Sequence, residues 1–345
     1  MIDRSAGPPV FTPQAPIASG FTAASTASDA TRGIDLTGKV AIVTGGYSGL
    51  GRETVRVFLA AGARVIVPSR NVERAQTALE GVVGAEIASM DLVDPASIDA
   101  FSKRFLETGL PLHILVNSAG IMALPELTRD ARGHELQFAT NHLGHFHLTL
   151  RLWPALVKAQ GARVVSVSSK GHRFSPVLFD DIDFERRPYD PWAAYGQSKT
   201  ANILFAVELD ARGQKDRVRA FAVHPGGVVD TGLAKHVSMN ALKAAGAVDG
   251  DGNPIIDSAK GLKTVAQGAA TQVWCATSPR LDGMGGVYCE DSDIAPQRRN
   301  GGKAEFSIGD SLRETGVWPY AVDRDAATRL WTVSEHMDGL SRSGP

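Results

Sequence analysis

"KVAIVTGGYSGLGRETVRVFLAAGARVIVPS", residues 39–69, carries the decision about the fold. It opens on a continuous apolar run, "KVAIVT" (39–44), and closes on a second, "ARVIVP" (63–68). Unbroken rather than alternating apolar character is what a strand buried on both faces requires. Between the two runs lie a glycine-rich turn and a segment, 49–61, with the spacing of an amphipathic helix.

The same alternation extends outward. Further apolar runs stand at 85–89, 112–117, 162–168 and 217–223, with a weaker seventh, "GGVYCE", at 285–290. Helical spacing occupies 95–107, 130–159 and 193–212. Strands alternating with helices predict an α/β fold with one doubly wound parallel sheet of about seven strands and helices on both faces. No repeat or composition break interrupts 36–294, so a single domain is expected over 36–345. Residues 1–35, rich in Pro, Ala, Ser and Thr, read as a flexible N-terminal extension, mobile or wrapped on the surface. A tail reaching over a neighbouring subunit is the sharper alternative.

Composition narrows the function. Of 345 residues 43% are apolar and 21% charged, as in ordinary soluble domains. A formal net charge of −1 supplies no basic field for nucleic acid or anionic lipid. No run nears the ~18 apolar residues of a membrane span, and the N-terminal stretch lacks the pattern of a secretory signal. The two cysteines, Cys275 and Cys289, have neither metal-site nor disulfide-scaffold spacing and read as buried small residues in a reduced, cytoplasmic setting. His142, His145 and His147 do not share one helical face and have no carboxylate or cysteine nearby in sequence, so no metal is expected.

Open parallel sheets bind ligands beyond the carboxyl ends of their strands. The turn after the first strand reads Thr-Gly-x-x-x-Gly-x-Gly. Gly45, Gly49 and Gly51 suit a tight turn, close backbone approach to a pyrophosphate and helix–strand packing, with Tyr47, Ser48 and Leu50 along the same turn. After the second strand, Ser69 and Arg70 stand where an NAD site would carry an acidic residue. An arginine there suits a 2′-phosphate, which favours NADP over NAD, the alternative being a solvated side chain. Asp91 and Leu92 fall near the expected adenine, although Asp91 fits a helix N-cap equally well. "NSAG" brings Asn117, Ala119 and Gly120, where small residues let a flat ligand pass and Asn117 could instead tie strands together.

Tyr195 and Lys199 in "YGQSK" stand four apart, on one face of a helix. An ammonium beside a phenol favours the phenolate. Bringing a tyrosine from about 10 to near 7 requires about 4 kcal/mol.

Taken in order, "TGGYSGLG", "NSAG", "TNHLGHF", "SVSSKGH", "YGQSK" and "HPGG" resemble the short-chain dehydrogenase/reductase family over nearly all of the chain from residue 36. "NHLGHFHLT", "SKTANILFAVEL" and "RLWTVSEHM" resemble its retinol dehydrogenase-like branch. The resemblance implies a Rossmann fold and hydride transfer between NADP, or NAD, and a small-molecule carbonyl or alcohol. It implies Tyr195 as the acid/base and Lys199 as the group that lowers its pKa and holds the ribose. Ser169, rather than its neighbour Ser168, would hold the substrate oxygen, and Asn141 would anchor a relay water. Pro225 and Gly226 would shape the loop near the carboxamide. "HPGGVVDT" is one residue longer than usual, which leaves Val228, Val229 and Thr231 open for that contact.

A homodimer or homotetramer paired through the long helices is also implied. Residues 227–265 should form a lid. With the loop carrying Phe174, Phe179, Phe184 and Trp192 they suggest a roomy apolar pocket for medium-sized hydrophobic or aromatic substrates. A dinucleotide-sensing regulator and a C=C reductase of the same fold are the rival readings.

Overall fold

A computed structural model describes residues 9–298 and 315–339, so 1–8, 299–314 and 340–345 of the expected segments lie outside the described residues. The strands are β1 (Val40–Val43), β2 (Arg64–Ser69), β3 (Ala85–Ser89), β4 (Ile114–Asn117), β5 (Ala162–Val167), β6 (Val218–His224), β7 (Val287–Glu290) and β8 (Asp293–Ile294). They form one sheet in the order β3-β2-β1-β4-β5-β6-β7-β8. The first seven run parallel, and β8 turns back antiparallel on β7. Asp291 and Ser292 make that reversal with φ of 53° and 57°. Two residues of strand carry no periodic signal, which is why the sequence indicates seven runs and the sheet has eight.

The helices are α1 (Ala27–Ala30), α2 (Gly49–Ala60), α3 (Val72–Ala78), α4 (Pro95–Glu107), α5 (Leu136–Phe138), α6 (Gly144–Arg151), α7 (Trp153–Lys158), α8 (Pro191–Gly213), α9 (Met239–Ala244), α10 (Val265–Gly268), α11 (Ala270–Thr277) and α12 (Arg324–Met337). Side-chain caps start several of them. Asn71 accepts from Arg74 N, Asp94 from Ala96 N, Asp190 from Ala193 N and Asp323 from Ala326 N. Asp94 and Asp190 are each followed by a proline in the first turn, where its missing N–H costs nothing.

Two apolar layers sandwich the sheet. Ile42 and Leu115 point into one with Phe146, Phe205 and Trp331. Ala41, Val43 and Val116 point into the other with Phe58 and Trp274. Alternate residues of one strand feed opposite cores, and that is the physical origin of the unbroken apolar runs. Each fully buried large side chain contributes roughly 1.5–3 kcal/mol.

Two regions depart from the sequence reading. The continuous helix expected over 130–159 is divided: α5 runs into a π-helical turn, Ala139–Leu143, then α6, then α7. Pro154, at the start of α7, requires a fresh first turn. The N-terminal extension shows the second of the two states that composition allows, wrapped on the surface. From residue 9 onward it runs along the β7–β8 side. Gln14 donates to Tyr288 O and Ala295 O and accepts from Tyr288 N at 2.6–2.9 Å. Asp293 accepts from Ile17 N and Ser19 N.

Candidate active site

The sheet order reverses between β1 and β4, and the motifs gather at the carboxyl ends around that switch. The glycine-rich turn is shaped by what it excludes. Gly45 has φ of 65°, and a Cβ there would come within 3.0 Å of Ala119 Cα. A Cβ on Gly51 would overlap Gly45 O. Gly46 is equally confined, 2.9 Å from Val43 O and Val55 Cγ2.

Thr44 holds this turn to its neighbours. Its Oγ1 accepts from Ser118 N (2.9 Å) and Ala119 N (3.1 Å) and lies 2.9 Å from His145 Nε2. His145 Nδ1 is 2.9 Å from Asn141 O, an acceptor only, so Nδ1 carries the proton. Burial holds His145 down to about 4, so the ring is neutral at pH 7 and Nε2 accepts from the Thr44 hydroxyl. One chain of bonds therefore joins "NSAG", the glycine-rich turn and the π turn. Sequence reasoning missed Thr44, Gly46 and His145 as parts of the site. The only signal was the threonine that opens the glycine motif.

Asn141 sits inside the π turn, a local widening often found at functional sites. Its side chain accepts from Ile121 N and donates to Ile121 O and Ser198 Oγ, all at 2.9–3.0 Å. A Cβ on Gly120 would lie 3.1 Å from Asn141 Oδ1 and 3.5 Å from Lys199 Nζ, so the bare backbone is what admits both.

Ser168 and Ser169 face opposite ways at the end of β5. Ser168 Oγ donates to Lys199 O (2.7 Å), inside the fold. Ser169 Oγ accepts from Gly171 N (3.0 Å), and a Cβ on Gly171 would touch both it and the Tyr195 ring, at 3.3 and 2.7 Å. Tyr195 is 3% and Lys199 4% exposed. Lys199 Nζ donates to Val167 O (3.0 Å) and stands 5.6 Å from the Tyr195 ring centre. Burial pushes the phenol up to about 12, with Ser169 pulling the other way, and burial pushes Lys199 down to about 8. With its ammonium turned to a carbonyl, Lys199 does not offset the desolvation of Tyr195.

The remaining predicted residues divide. Asn117 is buried and its Nδ2 donates to Thr149 Oγ1 (3.3 Å), a tie between β4 and α6. Asp91 is not an N-cap: Asp94 caps α4, and Asp91 accepts from Val93 N (3.1 Å) in a local turn. The Leu92 side chain belongs to the core. Arg70 is exposed beyond β2, and no described residue partners its guanidinium. Tyr47 and Leu50 pack against the α2-side core, while Ser48 is the N-cap of α2 without a side-chain bond.

Just before residues 227–265, the expected lid, Gly226 has φ of 93°, and a Cβ there would meet Lys263 Cδ at 2.7 Å. Val228 packs on Gly268 beside Leu50. Thr231, three residues on, reaches the glycine-rich turn, its Cβ 3.0 Å from the position a Gly49 Cβ would take. Lys263 fastens the end of the lid through a 2.5 Å ion pair with Asp291. A cleft of about 660 Å³ opens between α2 and the lid, lined by Gly49, Arg52, Asp230, Ile255 and Lys263 among others.

That cleft does not reach Tyr195. Of the four aromatics expected to line a roomy pocket, Phe179 lies under Arg329 and Phe184 is buried under Arg187. Phe174 and Trp192 alone stand near the phenol. Among the described residues no cluster of three metal-ligating side chains occurs. His142 bonds Ser334, and His147 bonds Asp338 and Asp99. Nor is any described helix long and apolar enough to cross a membrane.

Residues 39–241 match the model of a family described as short chain dehydrogenase. A "Probable oxidoreductase" of Streptomyces lividans is 45% identical over 86% of this chain and 97% of its own length. Human retinol dehydrogenase 12 is 37% identical over 89% and 88%. Among solved structures, an uncharacterized protein from Mycobacterium paratuberculosis superposes with a TM-score of 0.66 at 30% identity, covering 91% of this chain and 97% of that one.

Proposed function

Because this chain belongs to the short-chain dehydrogenase family, we propose that it is an NAD(P)-dependent oxidoreductase that prefers NADP and reduces a carbonyl, or oxidises the matching alcohol, in the cytoplasm. The observation that carries this reading is the Tyr195–Ser169 pair beyond β5, both bordering Gly171, with Lys199 one turn along α8. The dinucleotide fits the residues present. Gly45 and Gly51 let the turn close tightly ahead of α2, since a Cβ at either would strike Ala119 or Gly45 O, and the exposed Arg70 is free to meet a 2′-phosphate.

When bound, the dinucleotide supplies the hydride and a positive ring when oxidised. The chain's own groups do the rest. Tyr195, neutral at pH 7, is in the form that gives its proton to a carbonyl oxygen, and Ser169 holds that oxygen. Lys199, buried and pushed down to about 8, is the cation nearest the phenol for the reverse direction. Asn141, fixed at both ends of its amide, holds the π turn against Ile121 and α8. Substrates of medium size with an apolar or aromatic body are the class this reading favours. The name of the human relative, a retinol dehydrogenase, points the same way.

The test is turnover of reduced dinucleotide with a panel of aldehydes and ketones. Tyr195→Phe should lower kcat/KM by roughly 10²–10⁴, and equal rates would remove Tyr195 from the chemistry.

A further inference from the structure

Trp192 lies three residues ahead of Tyr195 on α8, so the two share a helix face. Their ring centres are 6.4 Å apart at 86°, a T-shaped contact. Phe174, five residues beyond Ser169, packs on Trp192 at 5.5 Å. Two glycines make this possible. At Gly196 a Cβ would come within 2.8 Å of Phe174 Cβ, and at Gly171 within 2.7 Å of the Tyr195 ring. Loop and helix are thereby interlocked, and Ser169, Phe174, Trp192 and Tyr195 are fixed relative to one another.

Their exposure differs in an informative way. Tyr195 is buried, whereas Phe174 and Trp192 each keep part of their surface open. Core packing accounts for Phe184, which is fully enclosed, but not for an aromatic pair left half-open beside the phenol.

We propose that Trp192, backed by Phe174, is the specificity-determining wall of the site, and that it selects carbonyl compounds whose reacting carbon bears a flat aromatic or conjugated group. The proposal rests on the oxidoreductase reading above. A carbonyl oxygen shared between Tyr195 Oη and Ser169 Oγ leaves its substituent beside the indole. In that step the carbonyl carbon gains a hydride from the reduced dinucleotide, which is oxidised, and the oxygen gains the phenol proton. Ring-on-ring contact adds to simple area burial by a factor of roughly three to ten in affinity. A saturated chain gains only the area.

The experiment compares naphthaldehyde with hexanal at saturating NADPH in the wild type, Trp192→Ala and Trp192→Phe. In Trp192→Ala the naphthaldehyde-to-hexanal ratio of kcat/KM should fall about five- to tenfold, through KM. Trp192→Phe should restore most of the ratio, and the pH profile of kcat should not move. An unchanged ratio in folded Trp192→Ala overturns the proposal. Binding of acetylnaphthalene to Tyr195→Phe with NADPH, measured by calorimetry with and without Trp192→Ala, decides the matter independently of turnover. A five- to tenfold loss of affinity supports the wall, and equal affinity overturns it. Absence of wild-type turnover on both aldehydes, with the affinity loss intact, would strike the oxidoreductase reading alone.

Discussion

Tyr195 is defined by competition between desolvation and its partners, and in this chain desolvation wins. Glu135 presents the same contest where no chemistry is expected. Its two oxygens accept from Gln137 N and Phe138 N, yet burial raises the carboxyl to about 7. A carboxyl whose folded pKa lies above its unfolded value weakens the fold as pH rises from about 4.5 to 7, because only the unfolded chain releases the proton there. The cost reaches the order of 3 kcal/mol. Glu135→Gln should remove that slope, so the wild-type minus variant stability difference should decline across this window in urea titrations. Arg70→Ala should lower kcat/KM for NADPH by about tenfold or more while sparing NADH, and parallel losses with both dinucleotides would argue against a 2′-phosphate contact. Tyr195 and Lys199 were legible because they stand one helical turn apart, and Gly45 because its motif is one short turn. The link from Thr44 to His145 was not, since it spans 101 positions and appears only when the sheet brings β1 beside the π turn.

Among the elements, α12 carries the most that local pattern could not reveal. Trp331 packs edge-on against Phe146 at 5.0 Å and stacks on Phe205 at 6.1 Å, with Arg212 over its face. Trp331→Ala should cost about 3–5 kcal/mol, read as a lowered denaturant midpoint. Just past α12, Asp338 accepts from Arg132 and pairs with His147, while His134 meets Asp183 and Met337 O. Bonds to carboxylates raise His134, and they raise His147 against the opposing effect of burial. A raised histidine stabilises the fold fully below its unfolded pKa near 6.5, and that contribution fades as pH climbs through the higher folded value. Asp338→Asn should therefore destabilise most at pH 6 and less at pH 8.5, which melting curves at the two values would test. The first seven strands and α2, α4 and α8 could be read from their apolar runs and periodicity. The π turn could not, because one extra residue per turn shifts the apolar phase without breaking it.

For the molecule as a whole, α12 closes over the long helices through Trp331. Pairing through the long helices, implied by the family resemblance, would have to include α12, which is seated on Phe146 and Phe205. Light scattering should return the mass of a homodimer or homotetramer, and the mass of one chain would argue against pairing through these helices. The other closure is at β7, where the Gln14 carboxamide continues the ladder that β8 abandons after Ala295. It accepts from Tyr288 N, while Tyr288 O has Ala295 N as a second donor, and Gln14→Ala should cost about 1–3 kcal/mol by orphaning the Tyr288 N–H. There is a consequence for biosynthesis. On the ribosome Gln14 emerges early, yet the peptide groups it must clasp are translated 274 residues later. The clasp is thus among the final native contacts to close during vectorial synthesis, and until it does the nascent sheet leaves β7 ready to zip onto a neighbouring polypeptide.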